Sequence, residues 1–195
     1  MEILNIYILF VRITLVAFAI YHVFKHRYKF ALSAGAVFAF TYLPWLLRYW
    51  FGFSMDLLGN ILYITVIVMT MYLGSTLKFY DKYSWWDRLI HFLSGIMFVS
   101  FGVAIAEYAG VFNRLHMLFF SLTLSVTLHV VWEISEYAFD TIFHGNSQSW
   151  QEITPADNHK PATAIQPAGL VDTMDDTIMC AAGTLAACAG WWFIL

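Results

Sequence analysis

The sequence predicts an all-α protein of six membrane-spanning helices in a single bundle. Three observations carry that prediction. Of 195 residues, 61% are hydrophobic and only 12% charged, about half the charged fraction of a soluble domain. The mean hydropathy is +0.67. The apolar residues fall in six runs, each close to the roughly 20 residues that a helix needs to cross a hydrocarbon core of about 30 Å.

The runs cover about residues 3–24, 30–50, 57–77, 87–109, 115–139 and 170–194. The first, within "MEILNIYILFVRITLVAFAIYHVFKHRYK", has no basic segment ahead of it and no small-residue cleavage site, so it reads as a span and not as a signal peptide. Many of the 8 Trp and 11 Tyr flank the runs, as anchors at a membrane interface do. The third and fourth runs are joined by "KFYDKYSWWDR". The fifth and sixth are joined by a polar loop, 140–169, too short and irregular for a domain. No internal repeat is present, which gives no support to an inverted-repeat transporter. The whole chain, 1–195, reads as one transmembrane domain.

Lysine and arginine predict the orientation. With the N-terminus outside, the inner loops hold Lys25, Arg27, Lys29, Lys78, Lys82, Arg88 and Lys160, while the outer loops hold Arg48 and Arg114. Seven against two follows the positive-inside bias. Both termini are therefore expected outside the cytoplasm, in a multi-pass protein of the plasma membrane. No nucleic-acid partner is expected, and the oligomeric state is left open.

"HVVWEISEYAFD" sets the functional question. His129, Glu133, Glu136 and Asp140 fall at i, i+4, i+7 and i+11, one face of a helix. In the predicted orientation this stripe occupies the cytoplasmic half of the fifth span. The fourth span begins at the same level with Asp87 and His91, one turn apart. The sixth begins there with Asp172 and Asp176, again one turn apart. Three helices thus carry acid or histidine pairs at one depth.

A lone charge in hydrocarbon costs at least a few kcal/mol, so buried acids face a partner, water or a metal. Carboxylates and imidazoles projecting inward from facing helices are a known way to build metal sites in bundles. Asp87, His91, His129, Glu133, Asp172 and Asp176 are the candidate ligands. Oxygen with some nitrogen suits Mg, Mn, Zn or Fe. Glu133 and Glu136 are the candidate general bases. A water-filled proton or ion pathway would use the same residues. Taken singly, Asp87 also reads as a helix cap, and Asp172 and Asp175 as acids favouring a helix start. Asp140 and Asp175 are expected at the solvated interface.

Arg12 lies near the middle of the first span. It either pairs locally or snorkels, or it binds an anionic substrate group or neutralises the acids. His144, Gln148 and His159 in the long loop could cover the site. Glu107, Arg114 and His116 belong to the opposite end. Cys180 and Cys188, about 12 Å apart along one helix, are too distant for a disulfide with each other and read as small packing residues.

The order "FYDKYSWWDRLIHFLSG", "WEISEY" and "GLVDTMDDTIMCAAGTLAA" resembles the YjdF family of uncharacterised bacterial membrane proteins. Its D-x-x-x-H, E-x-x-E and D-x-x-x-D elements match Asp87 and His91, Glu133 and Glu136, and Asp172 and Asp176. A looser version resembles the VanZ-like family, whose last element reads D-x-x-x-N-x-x-G, whereas Cys180 stands four residues after Asp176 here. The resemblance covers roughly residues 40–190. It implies a shared site and names no reaction.

From the residues, the leading expectation is a metal-dependent hydrolase or transferase acting on a lipid or amphipathic substrate. No G-x-S-x-G nucleophile motif is present. The alternatives are an ion- or proton-coupled transporter and a non-catalytic membrane partner whose acid cluster is structural. A permease needs polar groups running outward from the acids, and there only Ser100, Ser121, Thr123, Ser125 and Thr184 stand out.

Overall fold

The computed structural model describes residues 2–148 and 167–195. His159 and Lys160, which enter the expectations above, lie outside the described residues. Among those described, every regular element is helical, and six helical segments are long and apolar enough to cross a membrane. The chain is an all-α, multi-pass membrane protein.

The first span is α1, Glu2–Phe24. A tight turn through His26, at φ 55, reverses the chain into the second. That span is expected as one helix but is broken into α2, Tyr28–Phe40, and α3, Leu43–Phe51. Pro44 is the cause: it has no N–H to offer the Phe40 carbonyl one turn back. The carbonyl thus released accepts from the Tyr63 hydroxyl at 3.1 Å. Gly52, at φ +80, ends α3 in the left-handed conformation that favours glycine.

The third span starts as α4, Leu57–Ile67. Its N-cap is Asp56, whose carboxylate accepts from the N–H groups of Leu58 at 3.1 Å and Gly59 at 3.0 Å. From Val68 to Thr76 the helix widens to π geometry. Side chains reinforce the wider turn, with Ser75 donating to the Thr70 carbonyl and Thr76 to that of Met71. A short helix, α5, Phe79–Lys82, leads into the fourth span, α6, Trp86–Tyr108. The fifth, α7, runs Arg114–Phe143, four residues beyond its expected end. The sixth, α8, runs Ala168–Ile194.

One helix organises the bundle. In α6, 56% of the most apolar window is buried, against 6% in α1. α6 packs on α4, α7 and α8, whereas α1 packs on α2 and α4. Glycine lets α6 and α8 approach closely. A Cβ on Gly95 would collide with the Cys180 carbonyl, and one on Gly183 with the Phe92 carbonyl. Cys180 is 1% exposed and both cysteines are free. This seam sets the spacing of everything α6 and α8 present to each other.

Candidate metal centre

α6 and α8 bring three of the candidate ligands together. Asp87 stands in the first turn of α6, where a negative charge is favoured by the helix dipole. Its neighbour Trp86 is buried against Phe79 and Tyr83, which anchors this end of the helix. One turn on, His91 is 6% exposed, and Asp176 of α8 is 3% exposed. His91 Nε2 lies 3.4 Å from Asp87 Oδ1 and 3.6 Å from Asp176 Oδ2. Donors held about 2.0–2.2 Å from a tetrahedral ion stand roughly 3.3–3.6 Å from one another. The two distances from His91 match that spacing, and the three donor atoms all lie within 4.8 Å of one another.

α7 supplies the adjoining wall. Its buried face carries Met117, Ser121, Ser125, His129 and Glu133 at successive four-residue steps. His129 meets His91 edge to face, with ring centres 5.3 Å apart. His129 Nε2 lies 3.0 Å from Thr177 Oγ1 and 3.7 Å from Glu133 Oε1. Glu133 is 8% exposed, and among the described residues neither of its carboxylate oxygens has a hydrogen-bond partner, with the Thr173 hydroxyl and the Gln148 amide close by. An orphaned carboxylate at this depth is costly unless something not yet counted satisfies it. Two groups thus have donor atoms mutually within 4.8 Å: Asp87, His91 and Asp176, and His91, His129 and Glu133. They share His91.

The other sequence candidates stand outside these two groups. Glu136 accepts from Trp132 Nε1 at 2.9 Å on the half-buried flank of α7. Asp172 is half-buried one turn before Asp176. Neither enters the two groups found among the described residues. Arg12 donates to the Thr41 hydroxyl at 2.9 Å and carbonyl at 3.2 Å, and stacks on the Tyr42 ring at 3.6 Å. It completes the break between α2 and α3, where a backbone without helical bonds needs donors. Asp175 pairs with Arg88 at the exposed mouth, as its expected interfacial position suggests.

Asp140 corrects the expectation of a solvated acid. It is 5% exposed and accepts from the backbone N–H groups of Ser147 at 2.7 Å and Gln148 at 2.9 Å. The carboxylate folds the start of the long loop back over α7. Gln148 Nε2 then reaches Thr173 Oγ1 of α8 at 3.0 Å. His144 is the exposed, left-handed residue that ends α7.

Tyr80 was not legible as a site residue. Gly74, in the π-helical stretch, leaves the space that the Tyr80 ring fills. Burial raises the Tyr80 phenol well above its ordinary pKa, and the Asp87, Glu136 and Asp176 carboxylates push the same way. It remains a neutral hydroxyl beside the acids. Thr177 was missed too, because a threonine in an apolar run carries no signal of what it bonds.

Away from the mouth, the buried polar groups of α6, α7 and α8 thin to the hydroxyls of Ser100, Ser121, Ser125 and Thr184. The Ser125 and Thr184 hydroxyls bond to each other at 2.7 Å, and Ser121 donates to its own helix at the Met117 carbonyl. Beyond them Val99, Val103, Ala106, Met117 and Ala187 close the bundle, covered by Ile96, Trp191 and Leu195.

A family of predicted membrane proteins described as DUF2238, the YjdF-like family, matches residues 7–195. The VanZ-like resemblance receives no specific support. No curated protein and no solved structure matches.

Proposed function

The chain belongs to the DUF2238 family of membrane proteins, and on that footing we propose that it is a metal-dependent membrane enzyme, a hydrolase or transferase acting on a lipid or amphipathic substrate. The observation that carries this reading is the pairing of three converging donors with an orphaned carboxylate: Asp87, His91 and Asp176 beside Glu133.

The ligand set suits Mg, Mn, Zn or Fe. Such an ion would activate water or polarise a phosphoryl or acyl group. Asp87, His91 and Asp176 would hold it. Among the described residues neither Glu133 oxygen accepts a hydrogen bond, whereas Glu136 Oε1 accepts from Trp132, which favours Glu133 as the general base. Tyr80, a neutral donor near the acids, would bind a developing negative charge on the substrate. The Arg88–Asp175 pair rims the mouth. By the charge bias of the loops, that mouth faces the cytoplasm of a plasma-membrane protein.

A transporter reading draws on the polar face of α7, which runs from Glu133 through His129 and Ser125 to Ser121. The apolar cluster around Val99, Val103 and Met117 weighs against it, since a pathway needs polar groups to continue outward. The functional test is hydrolysis by purified protein of a panel of amphipathic phosphoesters and acyl esters, with each candidate ion and with chelator. Turnover that chelator abolishes and Glu133→Gln removes supports the enzyme. Metal binding without turnover of any panel member, combined with ion flux in vesicles, would replace it with the transporter.

A further inference from the structure

The bonds around His129 say more than that it lies near an ion site. Thr177 Oγ1 stands 2.7 Å from the Thr173 carbonyl and 3.0 Å from His129 Nε2. A hydroxyl has one proton to give. The carbonyl can only accept, and it is the closer partner, so the Thr177 proton goes there. The hydroxyl oxygen then offers a lone pair to His129, and Nε2 must be the nitrogen that carries hydrogen. Glu133 agrees: its Oε1 is 3.7 Å from the same Nε2, and a carboxylate oxygen favours an N–H over a second lone pair. The Thr177 bond thus fixes the tautomer, and the longer Glu133 contact is compatible with it.

We propose that Thr177 is a positioning residue that fixes His129 as the Nε2–H tautomer and so withholds that nitrogen from the ion. The consequence rests on the metal reading above, while the geometry rests on hydrogen bonds alone. It resolves the sharing of His91 between two donor groups. A ligating nitrogen needs its lone pair, and His129 Nε2 has none to give while Thr177 holds it. Of the two rings, only His91 then offers its Nε2 to the ion, beside Asp87 and Asp176. His129 stays beside it as a neutral imidazole whose Nε2–H is donated to Thr177.

The test uses full-length protein labelled with ¹⁵N-histidine in detergent micelles, with the His129 resonances assigned through His129→Gln. In metal-free protein the expected spectrum has hydrogen on Nε2 and a bare Nδ1. Thr177→Val, which swaps the hydroxyl for a methyl of similar size, is expected to shift that signature toward mixed tautomers, and Thr177→Ser to restore it. A His129 with hydrogen on Nδ1, or an unchanged spectrum in Thr177→Val, overturns the proposal. Zinc is then added to the wild type. Displacement of the His91 signal with the His129 Nε2–H retained supports it, and loss of the Nε2–H makes His129 a ligand and overturns it. If zinc changes nothing, the metal reading fails, and the metal-free spectra alone still decide the role of Thr177.

Discussion

Asp176 of α8 turns its Oδ2 to within 3.6 Å of His91 Nε2 on α6, and the contact is possible only because the two backbones nearly touch. Gly183, two turns along α8 from Asp176, faces the Phe92 carbonyl with no room for a side chain. Gly95 does the same against Cys180. The glycine seam therefore sets the width of the proposed ion site.

Gly183→Ala is expected to push α8 from α6. Overpacking of this kind costs about 1–3 kcal/mol, and the displaced Asp176 should weaken metal binding although no ligand is changed. Thermal unfolding in detergent and metal titration of the same variant check both halves. Unchanged metal affinity would separate the seam from the site.

Asp140 and Asp175 should behave differently. Asp140→Ala leaves two backbone N–H groups of the Ser147–Gln148 turn without their carboxylate. Losing such charged acceptors costs on the order of 2 kcal/mol. Asp175→Ala removes a pair whose side chains are 37% and 54% exposed, worth less than about 1 kcal/mol. Unfolding measurements that rank the two in reverse would remove Asp140 from any structural role.

The lysine and arginine bias predicts a cytoplasmic location for the loop after α7. Cysteine at the exposed Ser147, in a background lacking Cys180 and Cys188, should resist a membrane-impermeant thiol reagent in intact cells. It should react once the cells are opened. Ready labelling in intact cells would put the acid cluster outside.

The spans and the grouping of acids and histidines were readable because apolar run length and i, i+4 spacing are local properties. Asp87, His91, Glu133 and Asp176 each announce themselves as ionisable residues inside apolar helices. What was not readable depends on partners distant in sequence. Arg12 reads equally as a local partner and as a substrate group, because nothing beside it in sequence shows that Thr41 and Tyr42 contact it. Asp140 looked solvated because nothing in "AFDTIF" shows that Ser147 and Gln148 return to it. Glu136 shares the Glu133 stripe, but the indole of Trp132 on its own helix claims it. The break at Pro44 was signalled by the proline itself. The π-helical stretch from Val68 has no comparable local cue.

Metal content of the purified protein is the most direct test. The account predicts stoichiometric divalent metal in the wild type by elemental analysis, lost on chelation with a fall in thermal stability, as binding to the folded state requires. His91→Ala and Asp176→Ala should each lose most of it, because three ligands act as a unit, and Asp175→Ala should keep it. Wild-type protein that contains no metal, takes up none of Mg, Mn, Zn or Fe on addition, and unfolds at the same temperature with and without chelator would contradict the account.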